Sequence, residues 1–293
     1  LLNEDLIVGR NWVNNGTFTP GNGTVTFNSV TQAQVIGGSS NTTFYNLTNT
    51  NTNPTGLSLS KDVTVNNVLT FASGSNGKIT IGTNNLTIAS GGSIAGFNST
   101  RYIVSSPTTA SNGRLRQNGL STAARVFPVG TAANYLPVTI TPASSGSDFS
   151  INTFRSTTTS GLPGGSAFPS RTFQSDAVYW IDRVSGSSAA RIRFDWQTNA
   201  IEGAAFNASA DNLIGIWVKK ASWLLANGSS STNYVASNSS NYAYTNGNLT
   251  DFGTAGTGYP YIVAVITVLP VEISKLEARK QSNETLLNWE VTT

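Results

Sequence analysis

Cysteine, histidine and methionine are all absent from this 293-residue chain. Without cysteine there is no disulfide scaffold, no thiolate metal site and no cysteine nucleophile. Without histidine the commonest general base and metal ligand is missing, and with it every Ser-His-Asp arrangement. Without methionine the chain does not begin at a native start codon. It therefore reads as a processed form or a fragment, in which a signal peptide would not be visible. Charge is scarce too: 11% of residues are charged, against roughly 25% in an average soluble domain. Seventeen basic residues less fourteen acidic ones leave +3, with a pI near 9.2. The basic residues are scattered, with no stripe or patch of the kind nucleic-acid binding needs. The longest apolar run, Tyr261–Val268, is too short to span a bilayer.

Asn, Thr, Ser and Gly supply the polarity that charge does not. That composition suits short strands joined by many turns and works against long helices. Apolar residues make up 38% of the chain and recur in alternating patterns throughout, which argues for folding over disorder. The expected class is all-β.

The first part, residues 1–105, reads as a β-solenoid, a parallel β-helix. Thr24-Val25-Thr26-Phe27, Gly56-Leu57-Ser58-Leu59, Asp62-Val63-Thr64-Val65, Lys78-Ile79-Thr80-Ile81 and Asn85-Leu86-Thr87-Ile88 each carry apolar residues at period two. Each is bounded by Gly, Asn or Ser. Tyr45-Asn46-Leu47-Thr48, Asn67-Val68-Leu69-Thr70 and Asn84-Asn85-Leu86-Thr87 echo one another, with their leucines 22 and then 17 positions apart. Read as one coil each, these spacings fit a solenoid with turns of variable length. Asn at the turns can bond to neighbouring coils. A meandering antiparallel sandwich is the competing arrangement.

Ser105-Ser106-Pro107 looks like a junction. Residues 106–268 are expected to form a β-sandwich. Ile192, Phe194 and Trp196 share one face of their strand, and Arg191, Arg193 and Asp195 the other. Leu213–Val218 and Tyr261–Ile266 are apolar on both faces, as in covered strands, and residues 156–170 form the most flexible-looking loop. Residues 269–293 read as a C-terminal connector, two strands joined by a polar turn at Gln281–Glu284.

Several segments carry a resemblance. Asn11-Trp12-Val13-Asn14-Asn15-Gly16-Thr17-Phe18-Thr19-Pro20-Gly21-Asn22-Gly23-Thr24-Val25-Thr26-Phe27 resembles the opening repeat of large surface proteins from Bacteroidetes bacteria. Phe44-Tyr45-Asn46-Leu47, Asp62–Leu69, Phe127-Pro128-Val129-Gly130-Thr131 and Tyr135-Leu136-Pro137-Val138 fit the same pattern. The tail, Leu269-Pro270-Val271-Glu272-Ile273 followed by Leu287-Asn288-Trp289-Glu290, is similar to the segment preceding the sorting domain of type IX secretion substrates. The resemblance implies export across the outer membrane, attachment to or release from the cell surface, and an adhesin-like role. It brings no catalytic residue, and the chain stops before any complete sorting domain.

Two carboxylates can hydrolyse a glycosidic bond without histidine, so Asp176, Asp182, Asp195, Glu202 and Asp211 are the acidic residues to weigh. Asp195 beside Arg191 and Arg193 reads as a surface ion pair, and the others as turn residues. Calcium would need clustered oxygen ligands. Neither an Asp-x-Asp-x-Asp run nor a Gly-Gly-x-Gly-x-Asp repeat occurs, so calcium stays open with no ligand nominated. No other cofactor is implied. Trp180, Trp196, Trp217, Trp223 and Tyr179 could form a sugar-stacking platform, but alternation assigns most of them to the core. Trp223, beside a Gly/Ser-rich loop, is expected to be exposed and is the nominated carbohydrate contact. The sequons at Asn15, Asn46, Asn85 and Asn248 are read as turn chemistry.

Solenoid ends must be capped or stacked. Both ends of this chain look ready to pair with neighbouring domains or identical subunits by strand addition. Leu269, Pro270, Val271, Ile273, Leu287 and Trp289 are the expected assembly residues. The leading expectation is a non-enzymatic structural or adhesive surface module able to form filaments. The alternative is an extracellular carbohydrate-binding or polysaccharide-cleaving β protein.

Overall fold

The structure, a computed structural model, describes residues 3–72, 77–105, 113–168, 171–197, 201–228 and 230–266, together with the backbone of 272–281 and 284–292. It is nearly all β, as the composition leads one to expect. One sheet begins with β1 (Leu6–Val8), β3 (Thr24–Phe27), β5 (Thr42–Asn49), β7 (Val63–Phe71), β9 (Leu86–Ile88) and β12 (Leu115–Leu120), each parallel to the next. A second sheet stacks β2 (Trp12–Val13), β4 (Gln34–Gly37), β6 (Leu57–Leu59), β8 (Ile79–Thr80), β11 (Ile103–Val104) and β14 (Val129–Gly130), also in parallel. The chain passes alternately between the two, which makes a β-solenoid of about five turns.

Alternation explains why these short, Asn-rich segments hold. In β3, Val25 and Phe27 point inward and are buried, while Thr24 and Thr26 are half-exposed. Register then stacks like on like. Val25 lies over Leu47 and Leu47 over Leu69, while Leu57, Ile79, Ile103 and Val129 form a column in the second sheet. Each such aliphatic side chain contributes about 1.5–3 kcal/mol by leaving water. Where inward positions are polar, they bond between coils. Gln34, fully buried, donates to the carbonyls of Val8 and Arg10 and accepts from the Asn51 amide. On the outside, Asn67 donates to Asn46 at 2.8 Å, and Asn46 donates to the carbonyl of Asn22. Close rung spacing also dictates a glycine: at Gly38, φ is +114°, and a Cβ would lie 2.2 Å from the carbonyl oxygen of Asn14.

One expected spacing fails. Leu47 does stack on Leu69, 22 residues on, but Leu86 lies over Val63 rather than Leu69. The coil there is 23 residues, not 17. The cause is the nine-residue strand β7, whose first half pairs with β9 and whose second half pairs with β10 (Ser93–Ala95). Ile94, not Leu86, is the next residue over Leu69.

The expected division at 105/106 is not an edge in the fold. β11 ends at Val104, yet β12 and β14 add the next rung to both sheets. Residues 106–112, with most of the expected junction, lie outside the described residues. The changeover comes where β12 accepts β16 (Ser147–Arg155) as an antiparallel neighbour. From there the same sheet continues through β17 (Ala177–Ser185), β23 (Tyr259–Val265), β19 (Ile214–Lys219) and β20 (Trp223–Leu225). Facing it is a five-stranded antiparallel sheet: β13 (Arg125–Phe127), β15 (Val138–Pro142), β18 (Ala190–Asp195), β22 (Tyr242–Thr245) and β21 (Tyr234–Ser237). One apolar core runs from Val25 to Val265 without a break. Ile192, Phe194 and Trp196 lie in it, while Arg191 is exposed, as alternation predicts. β19 and β23 are buried on both faces.

Residues 157–168 are more structured than their composition implies. Thr158 bridges to Ala167, and the Thr158 hydroxyl donates to the carbonyl of Leu162. The segment covers a second apolar cluster on the outer face of the long sheet, containing Phe154, Phe168, Val178, Trp180, Trp217 and Trp223. Residues 169 and 170 are not described. At the C-terminal end, β24 (Glu272–Gln281) and β25 (Glu284–Thr292) form a two-stranded antiparallel sheet of their own in which Gln281 is opposite Glu284; residues 282 and 283, in the expected turn, lie outside the described residues.

Candidate functional site

Trp223 is not the exposed carbohydrate contact the sequence leads one to expect. It is 7% exposed, its ring centroid is 6.0 Å from that of Phe168, and its Nε1 donates to the carbonyl of Thr159. Fold-back of the 157–168 segment onto β20 is what buries it. Trp180, Trp196, Trp217 and Tyr179 are buried as well.

The acidic candidates are each engaged locally. Asp176 accepts from Arg171 at 2.9 Å, Arg155 at 3.2 Å and the Thr157 amide. Asp195 pairs with Arg193, whose guanidinium also lies 4.3 Å from the centre of the Tyr242 ring. The ion pair is thus with Arg193, and Arg191 takes no part in it. Glu202 accepts from Nε1 of Trp196, and Asp211 from the amide of Asn238. Asp182 departs from its expected place beside a turn: it sits inside β17 and is only 2% exposed. Desolvation pushes its carboxyl above the usual carboxylate range, and the charge of Arg114 opposes that shift. Among the described residues, no group of three or more acidic side chains is placed to hold a metal ion.

Arg114, which the sequence did not single out, ties the solenoid to the sandwich. It precedes β12, lies over the ring of Trp180 at 5.2 Å, and donates to the carbonyl of Thr257. The same carbonyl accepts from Nε1 of Trp180, and Asp182 accepts from the amide of Gly256. The 254–258 turn is thereby clamped by three side chains from two regions. Nothing in Gly113-Arg114-Leu115-Arg116 distinguishes the buried arginine from the half-exposed Arg116 two positions on.

The ends of the molecule are built differently. At the solenoid's first rung, β1 and β2 each have one strand neighbour among the described residues. Leu6, Ile7 and Val13 are 37%, 68% and 65% exposed there. Behind this rung the coil is filled by rings: Trp12 packs edge-on against Phe18 at 4.8 Å and against Phe44 at 5.2 Å. Among the described residues this rung therefore has a filled interior, strands paired on one side and an apolar rim.

At the other end, Leu269, Pro270 and Val271 lie outside the described residues. Ile273, Leu287 and Trp289 belong to the β24–β25 ribbon, where Ile273 is opposite Val291, Ala278 opposite Leu287 and Leu276 opposite Trp289. The intervening positions pair Lys275 with Glu290 and Glu277 with Asn288. Apolar and charged positions thus alternate along the ribbon. No helix among the described residues is long and apolar enough to cross a membrane.

No protein-family model, no curated protein and no solved structure matches this chain.

Proposed function

We propose that this chain is a non-catalytic structural module of an extracellular bacterial surface protein, and that it lengthens end to end by strand addition. The observation that carries the reading is the open first rung. Among the described residues β1 and β2 each have a strand neighbour on one side only, beside exposed Leu6, Ile7 and Val13, and such an edge is a template for another strand. The β24–β25 ribbon is the complementary feature, because a two-stranded sheet with one apolar set of positions is marginal by itself. A head-to-tail contact of this kind does not close on itself, so it generates filaments. The Bacteroidetes-like motifs at Asn11–Phe27 and Leu269–Ile273 supply the rest of the proposal: adhesin-like use at the cell surface and export by type IX secretion. Engagement of the acidic side chains by arginines and backbone amides favours a scaffold over a hydrolase.

The test is electron microscopy of the purified chain beside an Ile7→Lys variant. Ile7 is two-thirds exposed, so the substitution places a charge on the edge without disturbing the core. Fibres from the wild type and isolated particles from the variant support the reading. Isolated particles from both, at high protein concentration, overturn it.

A further inference from the structure

Asp and Asn side chains join the rungs of the solenoid in one direction. Five times, such a side chain accepts the backbone N–H of the residue stacked on it one rung further on. Asp5 accepts from Thr24, Asn11 from Val35, Asn15 from Ser39, Asp62 from Asn85 and Asn85 from Arg114, at 2.7–3.1 Å. Each pair continues the register of the strands beside it. The amide always belongs to the later rung and the oxygen to the earlier one. The first rung has no earlier rung among the described residues. The amides of Asp5, Asn11 and Asn15 accordingly have no hydrogen-bond partner there, and all three residues are exposed, within reach of an incoming chain.

A strand that continues the solenoid backwards must bring an Asp or Asn to meet one of these amides. It must also place apolar residues on either side of it, as Leu57-Ser58-Leu59 and Ile79-Thr80-Ile81 do around their outward residue. The two strands of the C-terminal ribbon differ on both counts. β24 has neither Asp nor Asn, is charged at five of its ten positions, and is bulged between Ile273 and Lys275. Charges and bulges are what keep an edge from pairing. β25 is charged at two of its nine positions and contains Leu287-Asn288-Trp289. The dipeptide Asn-Trp occurs twice in the chain, here and at Asn11-Trp12 of β2.

We propose that β25 of one copy adds in parallel to β2 of a second copy, with Asn288 opposite Asn11, Trp289 over Trp12 and Glu290 opposite Val13. Asn288 then accepts from the exposed Asn11 amide, as Asn11 accepts from Val35. Trp289 extends the inward column of Trp12, Ile36 and Leu59 by one rung. Glu290 falls on the solvent side, beside a valine that is 65% exposed. This pairing presupposes the end-to-end assembly proposed above and gives it a strand, a direction and a register.

The chain has no cysteine, so single introduced cysteines report the register. Full-length Val13→Cys copies are mixed with copies carrying either Glu290→Cys or Lys275→Cys, oxidised, and viewed by electron microscopy. Directly opposed positions lie within the Cα separation a disulfide spans, about 4.4–6.8 Å. Lys275, opposite Glu290 in the ribbon, is one strand further off. Mass spectrometry of joined peptides is expected to find the mixed disulfide with Glu290→Cys and not with Lys275→Cys. Asn288→Ala should raise the protein concentration needed for fibres by up to roughly tenfold, the worth of one hydrogen bond. Asn288→Asp keeps the accepting oxygen and should restore the wild-type value. Fibres without the Glu290 cross-link, or a cross-link through Lys275, overturn the strand assignment and leave end-to-end assembly standing. Absence of fibres from every mixture and from the wild type overturns both.

Discussion

Every solenoid strand from β1 to β11 is paired with strands about one coil away in the chain, whereas β17 of the sandwich is held by β23 some eighty residues later. The first region is a sum of neighbouring rungs, each stabilised by the one before and after. The second is a single enclosure, in which Phe194 from one sheet stacks on Tyr179 from the other at 4.2 Å. Yet both share one continuous core and one long sheet. The difference teaches that a change from local to non-local pairing requires no domain boundary. It needs only one strand, β16, running the other way.

The comparison can be broken most severely by removing one ring from each region. Phe44→Ala and Phe194→Ala each delete a fully buried ring, and each should cost about 3–5 kcal/mol. Hydrogen exchange should show the Phe44 loss confined largely to residues 6–71, while the Phe194 loss exposes both sandwich sheets together. Equal loosening of both regions by Phe44→Ala would mean that the rungs are not independent.

Arg114→Ala comes next, at roughly 1–3 kcal/mol, because it removes the bond to the Thr257 carbonyl and the larger of the two arginine charges that oppose the desolvation of Asp182. Calorimetry is expected to resolve two transitions in the variant, with the solenoid and sandwich unlinked. A single transition at a lower temperature would show that the shared sheet alone couples them.

Gly38→Ala forces a Cβ against the Asn14 backbone at a positive φ. It should cost more than about 1 kcal/mol and be felt in the first rungs alone, as read by exchange at Asn14 and Ser40.

The smallest effect concerns pH at the seam. Burial alone would raise the carboxyl of Asp148, but the Gly119 amide and Arg116 together hold it below its ordinary value of 3.8. A depressed carboxyl contributes stability above the unfolded pKa and loses it as pH falls through the folded one. Asp182 acts in the opposite sense. Its raised carboxyl takes up a proton sooner in the fold, so its penalty is relieved as pH falls. The Asp148 contribution to the wild-type urea midpoint should therefore fall below about pH 4. Asp148→Asn should flatten that drop by about 1 kcal/mol or less, since the Arg116 side chain is one-third exposed.

How much could be read in advance depends on how far apart the deciding residues lie. Val25, Leu47 and Leu69 were legible because a strand's inward positions repeat every two residues and a solenoid's every coil. Leu86 was misplaced because pairing follows strand length, and β7 is long enough to hold two successors. Trp223 was misread because its cover, Thr159 and Phe168, lies some sixty residues away in a segment whose composition says loop. Asp182 looked like a turn residue, since its burial depends on Arg114 and Gly256, about seventy residues off on either side.

By itself the sequence determined the chemistry that is absent, the all-β class, the inward and outward faces of the strands and the hairpin at 272–292. All of these follow from composition and period-two alternation, which act between near neighbours. Tertiary structure decided which rung follows which, where parallel pairing gives way to antiparallel, which tryptophans are covered, and that an arginine before β12 clamps a turn beyond β22. Those outcomes are set by burial and hydrogen bonding between residues distant in the chain, and burial is a property of the assembled surface rather than of any segment.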